Sequence, residues 1–152
     1  MSNATFTGPG GSDPQEFILK ALQVQPTPEA MHYAGAREIT RIRQRTAQGT
    51  DVDGQPFAPY SPRYAKQRVA KGRNAAPVDL LMSGRMLTSM QVEIVSPTSF
   101  AISVTDADAQ VYGRAHNDGA GHMPRRRFFD TSKTELDEMA RDLGSLIFAA
   151  SK

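Results

Sequence analysis

Apolar residues recur at three- and four-residue steps from Met31 through Gly35, Ile39 and Ile42 to Thr46, which predicts an amphipathic helix. Thr27-Pro28-Glu29 supplies its cap and first turn, and Gly49 its end. Arg37, Arg41, Gln44 and Arg45 fall away from the stripe, so the helix has one face to bury and one cationic face. Upstream, Asp13-Pro14 opens a shorter helix carrying Phe17, Ile18, Ala21 and Leu22 and stopped before Pro26. Downstream, Ser61-Pro62 caps another, along which Tyr64, Ala65, Arg68 and Val69 recur until Lys71-Gly72. The period then falls to two: Val92 and Ile94 share one face of Gln91–Val95, and Phe100, Ile102 and Val104 share one beyond the turn Ser96-Pro97-Thr98-Ser99. These runs predict a β-hairpin. A final helix from Thr131 to about Ala150, capped by Asp130 or Thr131, is expected to bury Leu136, Met139, Leu143 and Ile147.

The segments between are as informative. Residues 1–12 are small, polar and glycine-rich and read as a flexible, extended N-terminal arm, with 13–152 as a single domain. In Thr50–Pro62, Asp53-Gly54 is a tight-turn signal, and prolines at 56, 59 and 62 keep the backbone extended while Phe57 and Tyr60 grip the core. The loop Arg68–Ala76 has no apolar anchor and is expected to be mobile. Ser83-Gly84-Arg85 breaks a short apolar element, which restarts at Met86-Leu87. The stretch that organises the rest is Gln110–Ser132, QVYGRAHNDGAGHMPRRRFFDTS. Gly113, Gly119, Gly121 and Pro124 mark it as a shaped loop, with Asp106–Gln110 as a polar lead-in. Phe128, Phe129 and Pro124 are expected to anchor it, and Arg125, Arg126 and Arg127 to present charge outward, with Arg126 alternatively held inward against a carboxylate of its own chain. Helices segregated from one hairpin or small sheet define an α+β fold.

Composition narrows the setting. The 152 residues contain no cysteine, which excludes disulfides and thiolate metal sites. No apolar run approaches the roughly 18 residues that span a bilayer, and the start lacks a signal-peptide pattern, so no membrane partner is expected and the protein should stay where it is made. Net charge is only +2, yet arginine far outnumbers lysine and clusters in Arg37–Arg45, Arg63–Arg73 and Arg125–Arg127. Arginine suits bidentate pairing with carboxylate or phosphate, which favours an interface.

Reactive chemistry finds little support. His116, Asp118 and His122 fall within seven residues, but so few ligands on a glycine-rich stretch read better as polar loop chemistry than as a metal site. His116 is expected to bond a backbone carbonyl, and Asp118 to form a cap or turn. Ser83 and Ser89 lack the G-x-S-x-G context of a nucleophile elbow, and no phosphate-cradling P-loop occurs. No catalytic residue, cofactor or metal is expected.

Four stretches in order, GTDVDGQPFAPYSPRYAKQR, LLMSGRMLTSM, VYGRAHNDG and MPRRRFFDTS, resemble the motif order of the phage virion morphogenesis family of Mu-like tail completion proteins. The resemblance runs over about Gly49–Leu146 and rests on Asp53, Gly54, Phe57, Ser83, Gly84, Leu87, Ser89, Tyr112 and Gly119, with Arg126 and Phe128 in the last motif. Met86, Arg127 and Asp130 depart from it, where the family more often has leucine, proline and glycine. It implies a structural virion protein of a tailed bacteriophage: a tail completion or terminator ring subunit at the head-tail junction, assembled in the host cytoplasm. The implied partners are copies of itself, hexameric by family analogy, together with head-tail connector and tail tube proteins. Arg114, His116 and Arg125–Arg127 are the residues expected at such an interface. Transient contact with genomic DNA is a further expectation, and the rival reading is a small basic protein gripping phosphates through its arginine clusters.

Overall fold

The computed structural model describes residues 4–7 and 26–150. The short helix expected from Asp13, and the arm apart from residues 4–7, lie outside the described residues. The fold is α+β, as the periodicities predict: β1 (Ala4–Thr7), α1 (Pro28–Ala47), α2 (Pro62–Ala70), α3 (Arg85–Thr88), β2 (Met90–Ser96), β3 (Ser99–Val104), α4 (Ala107–Asp118) and α5 (Lys133–Ala150). The chain divides into two compact units, one built on Asn3–Ile39, Gln91–Ser103 and Thr131–Lys152, the other on Thr40–Met90 and Val104–Asp130.

The first, the hairpin unit, follows the apolar pattern closely. Its sheet has the order β1-β3-β2, and β1 runs antiparallel to β3 with Ala4 opposite Ile102 and Thr7 opposite Ser99. The expected arm thus contains a strand paired with the chain's own sheet, because β3 offers an unpaired backbone edge that even a short polar segment can satisfy. Placed centrally, β3 buries Phe100, Ala101 and Ile102, while Ile94 and Val95 of edge strand β2 stay exposed. The first half of α1 buries Met31, Ala34, Glu38 and Ile39. At Gly35 a Cβ would fall 2.6 Å from Val92 Cγ1 and 3.1 Å from the Phe100 ring, so this helix lies against the hairpin at a distance only glycine allows. Buried Glu38 accepts a hydrogen bond from Thr131 Oγ1 at 3.0 Å, and Arg37 pairs with Asp142 at 2.7 Å. In α5 Met139, Leu143 and Ile147 are buried as expected, but Leu136 is 38% exposed, one turn too early for the stripe. The cap is neither Asp130 nor Thr131. Ser132 Oγ accepts from Glu135 N at 3.2 Å and Glu135 Oε2 from Ser132 N at 2.7 Å, a reciprocal capping box.

The second, the loop unit, departs more from the pattern. Asp51 Oδ1 accepts from the amides of Asp53 and Gln55, which closes the Asp53-Gly54 turn, and Phe57 and Tyr60 are buried as expected. Ser61 caps α2 by accepting from Tyr64 N at 3.3 Å. Along α2, however, the buried residue is Arg68, at 1% exposure, while Val69 is 62% exposed. Polar bonds tie the loop beyond: Arg68 Nε donates to Asn74 O at 2.7 Å, and its Nη2 pairs with Asp79 at 2.6 Å. Arg45, expected on the cationic face of α1, is likewise buried and donates to the carbonyls of Phe128 and Asp130. The largest departure is α4. Asp106 to Asp118, expected as a polar lead-in and loop, is three turns of helix, capped by Asp106 Oδ1 accepting from Ala109 N at 2.9 Å and stopped by Gly119. Its buried residues are Ala109, Gly113 and Asn117, spaced by four but small or polar, so no apolar stripe announces it. Gly113 is a buried residue inside the helix rather than a turn.

Candidate functional site

The loop unit brings the four motif stretches of the sequence into one network around Tyr60. Two guanidinium groups flank the Tyr60 ring, Arg68 at 4.6 Å and Arg126 at 5.4 Å from its centroid. The Tyr60 hydroxyl accepts from Leu80 N at 3.0 Å and donates to Asp79 Oδ1 at 3.4 Å, and burial pushes its pKa up. Leu80 itself sits at φ 53°, a left-handed conformation rare for leucine that these bonds help to hold. Tyr64 packs edge-on against Tyr60 at 5.2 Å.

The three consecutive arginines have three different fates. Arg126, 4% exposed, is drawn inward: Nε donates to Ala58 O and Nη2 to Pro59 O, both at 2.9 Å, while Nη1 lies 3.4 Å from His116 Nδ1. The segment before α2, held extended by its prolines, has carbonyls free of ladder bonds there, and Arg126 satisfies two of them. Arg127 is partly exposed and bridges Asp53 and Asp130, each at 2.7 Å, so it ties the first motif to the last. Arg125 is exposed, with Nε donating to Asn117 O at 3.2 Å. Only Arg125 of the three therefore presents its charge as the sequence led us to expect.

The anchors are Phe128 and Phe129, both fully buried with ring centroids 6.1 Å apart. Pro124 is exposed, on the lining of a surface cavity rather than in the core as an anchor. Asn117, which the sequence reading did not single out, does more: its Oδ1 accepts from Phe129 N at 3.1 Å and holds the aromatic pair to the end of α4. Its signal was a polar residue in the last turn before a helix-stopping glycine. At Gly119 (φ 74°) an added Cβ would meet the Arg125 backbone at 3.1 Å, so this stop also lets the arginine segment pass close by.

His116 lies in α4 rather than a loop. Its carbonyl accepts from Arg126 N at 2.7 Å, and its imidazole faces a guanidinium instead of a carbonyl. Burial, and next the Arg126 charge, lower its pKa to about 4, so the ring is neutral near pH 7. Asp118 ends the helix and accepts from Asn117 Nδ2. Among the described residues no group of three or more potential ligands gathers to hold a metal. Ser83 Oγ accepts from Arg85 N at 3.4 Å, Gly84 (φ 84°) opens α3, Leu87 is buried, and Ser89 Oγ donates to Arg85 O at 2.6 Å, all structural uses. Arg85 in turn pairs with Asp106 at 2.6 Å, an exposed bond that joins α3 to the cap of α4. The Asp106 carboxyl is held below its usual range by the Ala109 amide first and Arg85 next.

What remains open to solvent is a cleft beside α4. Two cavities of about 370 and 570 Å³ share Tyr60, Tyr64, Tyr112 and His116, so they meet at the tyrosines. The first reaches Met82 and Met86, the second Met123, Pro124 and Arg126. Tyr112, at 65% exposure, stands on the rim, and Arg114 is exposed on the same helix. The arrangement is an open cleft on a scaffold pinned by arginine–carbonyl bonds. No family model, curated protein or solved structure matches the chain.

Proposed function

We propose that this chain is a structural virion protein of a tailed phage, a tail completion ring subunit acting at the head-tail junction by assembly alone. The observation that carries the reading is the convergence of the four motif stretches. Asp53 of the first meets Arg127 of the last, Ala58 and Pro59 meet Arg126, Leu80 of the second meets Tyr60, and His116 and Asn117 of the third hold Arg126 and Phe129. Residues far apart in sequence that interlock in this way form a rigid platform, which is what a repeated head-to-tail contact needs. Arg126 and Arg127 act within the subunit, so the exposed contact falls to Arg114, Tyr112, Met123 and Arg125, a set rich in the residue types that dominate interfaces.

One observation favours the rival reading. Pro62–Asn74 carries exposed Arg63, Lys66, Lys71 and Arg73 and no acidic residue, a patch suited to phosphates. Light scattering of the purified protein with and without nuclease separates the two. The ring reading expects a cyclic oligomer of one defined mass that nuclease leaves unchanged. A monomer that binds duplex DNA with a steep salt dependence would replace it with the DNA-binding reading.

A further inference from the structure

The half of the cleft bounded by Met123 and Pro124 has an unusual charge. None of its lining residues is Asp or Glu, whereas it holds His116, His122 and Arg126. The other two lining arginines of the cleft have carboxylate partners, Arg68 in Asp79 and Arg85 in Asp106. Arg126 has two carbonyls and an imidazole, all uncharged. Those bonds occupy three of its five N–H donors, and the side chain is buried. A buried cation balanced by carbonyl dipoles and the Tyr60 ring face, with no carboxylate, is costly, and a carboxylate brought to it in a low-dielectric setting gains correspondingly more than at the surface. Beside it, exposed Tyr112 and Met123 offer a flat ring and an adaptable thioether, surfaces on which an apolar side chain packs.

We propose that the cleft lined by Tyr112, Met123, Pro124 and Arg126 is a docking site for an acidic segment of a partner protein. One carboxylate of that segment pairs with the Arg126 fork, and an adjacent aromatic or aliphatic side chain packs on Tyr112 and Met123. Charge complementarity selects this occupant, since a planar guanidinium matches a carboxylate bidentately. A nucleic-acid strand fits less well. It needs a run of cations along its backbone and several stacking rings, and this half-cleft has one guanidinium, with the His116 ring held neutral. This docking site shares Tyr112 and Met123 with the contact surface of the ring reading, so the titration is run at a concentration where light scattering gives a monomer, and its failure leaves the oligomer measurement untouched.

The test is an NMR titration of the full chain with three probes: a blocked peptide alternating glutamate and phenylalanine, the same peptide with glutamine for glutamate, and a short oligothymidylate. The acidic peptide is expected to bind saturably, with shifts centred on the amides of Tyr112, His116 and Met123. The glutamine peptide should bind at least about tenfold more weakly. Tyr112→Ala, at an exposed position, should keep the wild-type melting temperature and weaken the acidic peptide at least about fivefold. Arg126→Lys keeps a charge and loses the fork, and should weaken it about tenfold. If Arg126→Lys does not fold, Tyr112→Ala and the glutamine peptide carry the test. No saturable binding, equal affinity for the two peptides, unchanged affinity in Tyr112→Ala, or tighter binding of the oligothymidylate would each overturn the proposal.

Discussion

The two units of this chain hold themselves together by different means. In the hairpin unit the buried residues are chiefly apolar and sit where helical and strand periods place them, with glycine where the helix approaches Val92 and Phe100 of the hairpin. The loop unit buries Phe57, Phe128 and Phe129 as well, but its irregular backbone is tied down by Arg45, Arg68 and Arg126, each donating to main-chain carbonyls remote in sequence or across a loop. Regular elements satisfy their own backbone, whereas loops carry groups that something else must satisfy, and a long, multi-donor side chain does so across several ångströms. Arginine clusters in such a chain are therefore as much internal fastenings as contact surfaces.

The largest effects should come from the aromatic pair. Phe128→Ala or Phe129→Ala is expected to cost about 3–5 kcal/mol in denaturant unfolding, from lost transfer energy and the cavity left behind. A smaller cost than for Phe100→Ala in the hairpin unit would mean that the arginines, not the rings, dominate the loop unit. Acid should act next, and chiefly there. With the His116 pKa lowered from 6.5 to about 4, the unfolded chain takes up the proton first, so this stability is whole above about pH 6.5 and falls as pH drops. By pH 4 the loss should be of the order of 3 kcal/mol, and His116→Gln should flatten that part of the stability–pH curve.

The same contrast explains what could be read from the sequence. Helix α1, the hairpin, the Ser61 cap and most of α5 follow from local periodicity and turn chemistry. Helix α4 escaped because it buries Ala109, Gly113 and Asn117, so its only local signs were Asp106 at one end and Gly119 at the other. The inward turns of Arg45 and Arg68 were not legible, and an inward Arg126 was legible only as an alternative with a carboxylate partner, because the carbonyls these side chains bond are carried by every residue and marked by no sequence pattern. The capping box was legible in Ser132 and Glu135, but the adjacent Asp130 and Thr131 competed for the role. The candidate site was half visible: Arg126 and His116 were named, but Tyr60 at its centre appeared only as an apolar grip.

Smaller effects sharpen the comparison further. Gly35→Ala should cost about 1–3 kcal/mol by overpacking against Val92 and Phe100, measurable as a lower denaturant midpoint. Arg125→Ala should stay within about 0.5 kcal/mol of wild type in isolation, because its side chain is exposed, while particle yield falls if it contacts a neighbouring subunit. Wild-type stability together with wild-type assembly would remove Arg125 from the interface.

The central claim is that Arg126 fastens the loop unit while the hairpin unit stands on its apolar core. Native-state hydrogen exchange of wild type and Arg126→Lys tests it directly. The account predicts that the amides of Val52, Phe57 and Arg126, bonded to Arg127 O, Gly49 O and His116 O, lose protection in the variant, while those of Phe100 and Ile102 keep theirs. Equal loss across both units, or no loss at Phe57 and Arg126, would contradict it.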